Sequence, residues 1–208
     1  MIPKNERYDP EKLPVLETFY SVQGEGINTG KAAFFVRIGG CDLGCRWCDS
    51  KETWNWVPDK WTPVADLIQE IKESGADSVV VTGGEPLIYD FSIFTEACRK
   101  EGCKLFLETS GAHPLSGIWD WVCLSPKPQK EPLPEFYSLA SELKVIIYKP
   151  EDFRWAEKTA ARVSKECDLM LQPEWSRFED TGKWVVDYVK KHQQWRVSVQ
   201  THKFLRIP

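Results

Sequence analysis

The chain has 208 residues, of which 27 are basic and 31 acidic, for a formal net charge of −4, and 42% of its residues are hydrophobic. Without a basic surplus, a nucleic-acid interface is disfavoured and a small-molecule substrate is expected. No apolar run reaches the roughly 18 residues of a membrane-spanning helix, and the start of the chain lacks the apolar stretch of a signal peptide, which predicts a cytoplasmic protein with no membrane segment.

Short apolar runs alternate with helical patterns along the chain. Buried strands are predicted at 33–38, 78–82, 104–108, 143–147, 169–173 and 196–200, with a weaker seventh at 121–124. Helices are predicted at 62–75, 91–102, 150–165 and 182–192. The first helix has Thr62 as its expected cap and Gly75 as its expected stop. Strands that alternate with helices imply right-handed crossovers and a parallel sheet.

The expected architecture is an incomplete barrel in a single domain, residues 1–208. The segment after Glu108 is too short for a full helix before strand 121–124, so a partial (β/α)6-type barrel with shortened crossovers fits better than a closed eightfold one. The proline-rich segment 126–134 is expected to be a surface loop rather than a domain boundary. Loops after parallel barrel strands share one face, and small or polar residues recur in them. They can be simple turns, but their repetition predicts one site.

The densest chemistry lies in CDLGCRWCDS, where Cys41, Cys45 and Cys48 are spaced by three and then two residues. Three thiolates can anchor three corners of a four-iron–four-sulfur cluster and leave the last iron open to an exogenous ligand. Zinc is the alternative, but a structural zinc site needs a fourth ligand, and no second CxxC supplies one. The remaining cysteines are scattered and are expected to be small core residues: Cys98, Cys103, Cys123 and Cys167.

The CxxxCxxC spacing resembles that of the radical S-adenosylmethionine (SAM) superfamily, and GGEP at 83–86 resembles the Gly-Gly-Glu segment after its second strand. The resemblance implies that the amino and carboxylate groups of SAM chelate the open iron. It also implies that an electron from the reduced cluster cleaves SAM to a 5′-deoxyadenosyl radical. A 4Fe-4S cluster and SAM are therefore the expected cofactors.

Further segments resemble the 7-carboxy-7-deazaguanine synthase family within that superfamily. The resemblance spans about residues 15–208 and rests on YSVQGEG (20–26), FVRIGGCDLGCRWCDS (35–50), VVVTGGEP (79–86), LETSG (107–111), LSPK (124–127), LKVI (143–146), LQP (171–173) and VQTHKFLRIP (199–208). It implies a magnesium-assisted lyase of queuosine and 7-deazapurine biosynthesis. Such an enzyme converts 6-carboxy-5,6,7,8-tetrahydropterin to 7-carboxy-7-deazaguanine with loss of ammonia and regenerates SAM.

Two other functions stay open at this point. A glycyl-radical-enzyme activase, whose substrate is a partner protein, shares the cysteine loop but not the QGEG, CDS and QTHK segments. A non-enzymatic zinc or iron–sulfur binding module would be separated by the metal content of the purified protein.

The resemblance implies roles for individual residues. The SAM contacts are Trp47, Cys48, Asp49, Gly84, Ser125, Pro126 and Lys127. Ser50 matches the residue whose hydroxyl ligates Mg²⁺, a hard cation that keeps several waters and takes few protein ligands. The substrate contacts are Val22, Gln23, Gly24, Arg37, Thr82 and Pro208, the last through its carboxylate. Weaker site candidates are Glu25, Glu108, Gln172 and His202.

Several of these residues have structural alternatives. Arg37 ends an apolar strand and is expected either to pair with the substrate carboxylate or to form a structural ion pair. His202 is either a site residue or a structural histidine, and His113 and His192 are expected at the surface. The resemblance further implies a homodimer and an electron donor such as flavodoxin.

Overall fold

The predicted strands form one mostly parallel sheet. A computed structural model describes residues 9–54 and 61–208. The strands are β1 (Lys12–Leu13), β2 (Val15–Val22), β3 (Ala32–Ile38), β4 (Thr62–Pro63), β5 (Ser78–Gly83), β6 (Lys104–Thr109), β7 (Trp121–Leu124), β8 (Glu142–Ile147), β9 (Asp168–Pro173) and β10 (Trp195–Val197). The α-helices are α1 (Val64–Ser74), α2 (Ser92–Lys100), α3 (Phe136–Leu139), α4 (Asp152–Ala160), α5 (Phe178–Val189) and α6 (Thr201–Leu205).

Eight of the strands are hydrogen-bonded in the order β2-β3-β5-β6-β7-β8-β9-β10. All neighbours from β3 to β10 are parallel, and β2 is added antiparallel to β3 at one edge. Within the described ranges the end strands β2 and β10 do not pair with each other, so the sheet is a partial barrel. Residues 110–120, between β6 and β7, contain no helix, which confirms the predicted short crossover.

Successive side chains of each strand point alternately to the helix-covered face of the sheet and to the barrel interior. In β3, Phe34, Val36 and Ile38 are buried in the core that includes side chains of α1 and α2. Phe35 points the other way and stacks on Phe19 of β2, with ring centroids 4.9 Å apart. The same period of two directs polar side chains of five parallel strands into the interior, where they line a cavity: Arg37, Thr82, Glu108, Lys144 and Gln172.

The helices cover the outer face in two groups. Leu67 of α1 and Phe94 of α2 are at most 1% exposed in one core, and Ala156 of α4 and Val185 of α5 are fully buried in a second. Burying a large apolar side chain stabilises the fold by about 1.5–3 kcal/mol. These contacts therefore fix the strand ends that carry the loops.

The four scattered cysteines are all buried, as predicted. No described helix is long and apolar enough to cross a membrane.

The predicted cap of α1 is wrong, whereas its stop is confirmed. Thr62 lies in β4, where it pairs with Leu13 of β1, so the residue before the helix is Pro63, which makes no side-chain cap hydrogen bond. Gly75 ends the helix with a left-handed φ of 70°. This conformation is the one that glycine adopts most readily at a helix end.

Other boundaries also differ from the predictions. The helix predicted at 150–165 ends at Ala160, and the helix predicted at 182–192 begins at Phe178. The strand predicted at 196–200 ends at Val197. Just beyond it, Ser198 still donates its backbone N–H to Leu171 of β9 at 2.9 Å and its hydroxyl to Gln172 Oε1 at 2.6 Å. The elements that were not predicted are β1, β2, β4, α3 and α6.

Replacing Gly83 with alanine is expected to lower the free energy of unfolding by about 3 kcal/mol or more. Gly83 ends β5 with φ 129°, and an added Cβ would overlap the backbone nitrogen and carbonyl oxygen of Ile38 in β3. Two paired backbones cannot move aside as a flexible side chain can. Urea denaturation of the metal-free protein measures the effect.

Gly30→Ala is the matched control, because Gly30 has φ 87° but no heavy atom within 4 Å of the added Cβ. It should cost only about 1–2 kcal/mol for the left-handed backbone. Equal losses in the two variants would contradict the predicted overlap.

Candidate active site

A cavity of about 430 Å³ lies at the carboxyl ends of the parallel strands. The loops after β3, β5, β6 and β7 contribute to its lining, together with inward side chains of β8 and β9. All the site candidates named from the sequence line this cavity except Pro126, which is buried between the lining residues Ser125 and Lys127. The tertiary structure thus brings together candidates as distant in the chain as Val22 and Pro208.

The cysteine loop, residues 39–50, rests on the loop that follows β5. The backbone nitrogen of Glu85 donates to the carbonyl oxygen of Gly40 at 2.9 Å. A Cβ on Gly84 would overlap the same carbonyl group, so the close approach of the two loops requires glycine. Cys41, Cys45 and Cys48 all line the cavity.

The surroundings of the thiols suit a metal cluster. Burial raises the pKa of Cys41 to about 11 and also raises the pKa of Cys45. These two thiols are therefore protonated at neutral pH until a metal displaces their protons. N–H groups approach two of the sulfurs, with Gln129 Nε2 3.1 Å from Cys45 Sγ and Ser50 N 3.4 Å from Cys48 Sγ. Cluster thiolates are charged, and such donors stabilise that charge.

Glu85, the third residue of GGEP, joins the loop after β5 to the loop after β6. Its carboxylate is 1% exposed and accepts hydrogen bonds from Thr109 Oγ1 at 2.6 Å and Ser110 N at 2.8 Å, as well as from the Ser110 hydroxyl. These donors compensate a desolvation that would otherwise cost several kcal/mol. This role of Glu85 is not visible in the sequence, because Thr109 and Ser110 lie about 25 residues away in the chain.

The charged centre of the cavity is Lys144, which sequence analysis did not single out. Its Nζ lies 2.7 Å from Glu25 Oε2 and 2.8 Å from Glu108 Oε2, and its side chain is 5% exposed. Gln23 Nε2 donates to the other Glu108 oxygen at 3.2 Å. Strand alternation could have found this lysine, because a charged residue between two buried apolar residues of β8 must face the interior.

Glu25 connects this centre to the segment after β10. Gln200 Nε2 donates to Glu25 Oε1 at 2.7 Å and to Asp49 Oδ2 at 2.8 Å. Lys203 Nζ lies 2.6 Å from the same Asp49 oxygen. Burial opposes ionisation of Glu25, but the Lys144 ammonium and the hydrogen bonds outweigh it and lower the pKa of Glu25 to about 2. Burial is similarly outweighed at Asp49, whose pKa is lowered by Lys203 and Gln200.

Arg37 is paired with a protein carboxylate in the cavity wall. Its Nε lies 2.6 Å from Glu17 Oε1, and its guanidinium lies 5.7 Å from the centroid of the Phe19 ring. The Glu17 side chain is 52% exposed. Ion pairs that are open to water contribute little, about 0–1 kcal/mol. A ligand carboxylate can therefore compete for this guanidinium.

His202 packs its ring against Gly24, where an added Cβ would overlap the imidazole. Burial lowers the pKa of His202 despite the nearby Glu25 and Asp49 carboxylates, which keeps the ring neutral at pH 7. Because Gly24 belongs to the QGEG segment, this contact joins the first and last motifs of the chain. The main-chain oxygen of Pro208 lies 3.5 Å from Ser21 Oγ on the same side.

Lys127 also lines the cavity, and its Nζ donates to the carbonyl and hydroxyl oxygens of Ser125 at 2.6 and 2.7 Å. It also lies 5.6 Å from the centroid of the Trp47 ring. Burial lowers the pKa of Lys127. The two SAM-contact segments expected from the sequence therefore lie close to each other in the cavity lining.

Neither histidine expected at the surface is fully exposed. His113 has a side chain 21% exposed, and its Nε2 lies 3.1 Å from Asp42 in the cysteine loop. His192 is half-buried because its ring stacks on Tyr188 at 4.0 Å. Both histidines are therefore partly exposed, and each has one neighbour that covers part of its ring: Asp42 in the cysteine loop and Tyr188 near the end of α5.

Comparison with known proteins identifies the family. Residues 35–123 match the Radical SAM superfamily. The chain is 52% identical to the 7-carboxy-7-deazaguanine synthase of Flavobacterium psychrophilum over 95% of this chain and 94% of that protein. The chain belongs to the 7-carboxy-7-deazaguanine synthase family.

Two further members of the synthase family extend the similarity. The 7-carboxy-7-deazaguanine synthase of Synechocystis is 47% identical over 93% of each chain. The crystal structure of QueE from Escherichia coli matches with a TM-score of 0.80 at 32% identity, and covers 92% of this chain and 95% of that chain. The similarity thus extends over nearly the whole partial barrel and favours the synthase over the activase.

Proposed function

We propose that the protein converts 6-carboxy-5,6,7,8-tetrahydropterin to 7-carboxy-7-deazaguanine with loss of ammonia, as a radical SAM lyase. The observation that carries the proposal is one cavity that joins a three-cysteine loop to a buried, charged Glu25–Lys144–Glu108 centre. The first of these features fits a cluster, and the second fits a polar heterocycle. Both occur in a chain 52% identical to a synthase over 95% of its length.

The cysteine loop would hold the 4Fe-4S cluster through Cys41, Cys45 and Cys48. When bound, the cluster and SAM supply the hydrogen-abstracting radical chemistry of the superfamily. The walls on either side would hold SAM through Trp47, Cys48, Asp49, Gly84, Ser125, Pro126 and Lys127. The chain's own task is to bind, orient and desolvate the reactants.

The charged centre would orient the pterin. Glu25 and Glu108 are acceptors fixed by Lys144, so they can accept hydrogen bonds from the amino and ring N–H groups of a pterin, each worth about 1.5–3 kcal/mol. Arg37 would exchange its pair with Glu17 for the substrate carboxylate. The full set of proposed substrate contacts is Val22, Gln23, Gly24, Arg37, Thr82 and Pro208, with Glu25, Glu108, Gln172 and His202 as further candidates.

An anaerobic assay tests the function. Cluster-loaded protein is incubated with the carboxytetrahydropterin, SAM, Mg²⁺ and a reductant, and 7-carboxy-7-deazaguanine and ammonia are measured. Formation of both, with SAM not consumed in proportion, is expected. If SAM is cleaved but the pterin is unchanged, the substrate assignment is wrong.

Ser50→Ala is expected to weaken the stimulation of turnover by Mg²⁺ and to leave cluster assembly unchanged. Ser50 lines the cavity, and its hydroxyl would be the protein ligand of an ion that otherwise binds water and substrate oxygens. Turnover against Mg²⁺ concentration is compared for the parent, Ser50→Ala and Ser50→Thr. The threonine variant keeps the hydroxyl and should retain the dependence. An identical Mg²⁺ dependence in the alanine variant would remove Ser50 from the proposed site.

We also propose a homodimer that works in the cytoplasm and receives electrons from a donor such as flavodoxin. Support comes from the family assignment. Size-exclusion chromatography with light scattering, and cluster reduction by purified flavodoxin, test the two parts separately.

A further inference from the structure

Residues 126–130 of the proline-rich segment contact the cysteine loop through two side chains. An isolated bridge between Lys127 and Lys130 closes this segment. Gln129 Nε2 lies 3.3 Å from the Leu43 carbonyl oxygen and 3.1 Å from Cys45 Sγ. Lys130 Nζ lies 2.7 Å from Asp42 Oδ2. Two adjacent side chains thus hold the cysteine loop at neighbouring positions.

The orientation of the Gln129 amide follows from its partners. The carbonyl oxygen of Leu43 and the sulfur of a Cys45 thiolate are both acceptors, so only the NH₂ end of the amide satisfies them. A flipped amide would place its oxygen against two acceptors. Prolines at 126 and 128 restrict the loop backbone, and the ion pair of Lys130 anchors the next residue. The amide is therefore held in place although Gln129 is an exposed residue.

We propose that Gln129 is a positioning residue of the cluster, whose N–H donates to the Cys45 sulfur and raises the reduction potential of the bound cluster. The inference rests on the proposed cluster. Reduction adds negative charge to a cluster and its thiolates, so a donor directed at one sulfur stabilises the reduced state more than the oxidised state. Cys45 is 7% exposed, and in such low-dielectric surroundings the hydrogen bond is stronger than in water.

The test compares the midpoint potential of the cluster in the anaerobically loaded full chain by a redox titration followed by electron paramagnetic resonance. Gln129→Leu removes the donor at similar volume and is expected to shift the potential to a more negative value. Gln129→Lys keeps N–H donors and adds a positive charge, so its potential is expected at or above that of the parent. Gln69→Leu, in the exposed Gln69–Glu73 pair of α1, is the matched control and should leave the potential unchanged.

The outcomes separate three cases. If the parent takes up no iron–sulfur cluster, the proposed function fails, and this inference with it. If the parent and Gln129→Leu load equally and titrate at the same potential, only this inference is overturned. If Gln129→Leu takes up no cluster, the lysine variant decides between two explanations. Cluster uptake by Gln129→Lys supports a role for the N–H donor. If neither variant takes up a cluster, Gln129 only shapes the loop, and the proposal is overturned.

Discussion

Replacing Cys41, Cys45 or Cys48 with alanine is expected to abolish the iron–sulfur chromophore and the reductive cleavage of SAM. The three cysteines line one cavity, and the other four cysteines are buried outside its lining, so none of them can replace a missing ligand. The loss should be complete rather than graded, because a cluster that has lost one of three thiolates is exposed to displacement by water. Iron content, the visible absorption spectrum and 5′-deoxyadenosine formation measure the effect.

Cys98→Ala and Cys167→Ala are the matched controls. Both residues are buried cysteines away from the cavity lining, so each variant removes a thiol and leaves a small void that costs about 1 kcal/mol. Both should retain the iron content of the parent per folded protein. Full iron loading in Cys45→Ala would contradict the assignment of this loop as the cluster-binding site.

Lys144→Met is expected to destabilise the fold by about 3–5 kcal/mol near neutral pH, because it leaves two carboxylates in the interior without their cation. Lys144 Nζ lies within 2.8 Å of Glu25 and Glu108, at 5% side-chain exposure. Methionine fills a similar volume, so the loss reports charge rather than a cavity. Substrate binding should weaken as well, because the two acceptors lose their fixed orientation.

The stability difference should depend on pH with a definite sign. In the parent, the pKa of Glu25 is lowered from 4.5 to about 2, so Glu25 stabilises the folded state above pH 4.5, and this stabilisation is lost as the pH falls toward 2. Without Lys144, burial dominates and raises the pKa of Glu25 above its ordinary value. Glu25 then destabilises the folded state as the pH rises through 4.5. The difference in free energy of unfolding between parent and variant therefore increases from about pH 4 to pH 7.

Urea denaturation of the metal-free proteins at these two pH values measures this difference. Lys158→Met is the matched control, because Lys158 pairs with Glu131 at the surface, where its side chain is 58% exposed. Lys158→Met should lose little free energy of unfolding, and its difference from the parent should not change with pH. A constant difference for Lys144→Met would show that the lysine contributes packing rather than charge compensation.

The seven parallel strands and the shortened crossover could be predicted from the sequence alone, because strand periodicity and segment length are local properties. The cluster loop and the glycine segment GGEP could also be predicted from the sequence. Both are short motifs whose chemistry depends on residues adjacent in the chain. The strand β2 escaped prediction because its alternation is mixed, with most of its residues only partly buried at the sheet edge.

Only the tertiary structure revealed how the cavity is held together. Lys144 pairs with Glu25 across 119 residues, and Gln129 reaches Cys45 across 84. Hydropathy placed Lys144 within an apolar strand and Gln129 in a surface loop, and both placements are correct, but neither gives the partner. Which side chains meet depends on the order of strands in the sheet and on which loops lie over one another. The sequence by itself therefore determined which chemistry this protein carries, while the packing of distant strands decided which residues orient it.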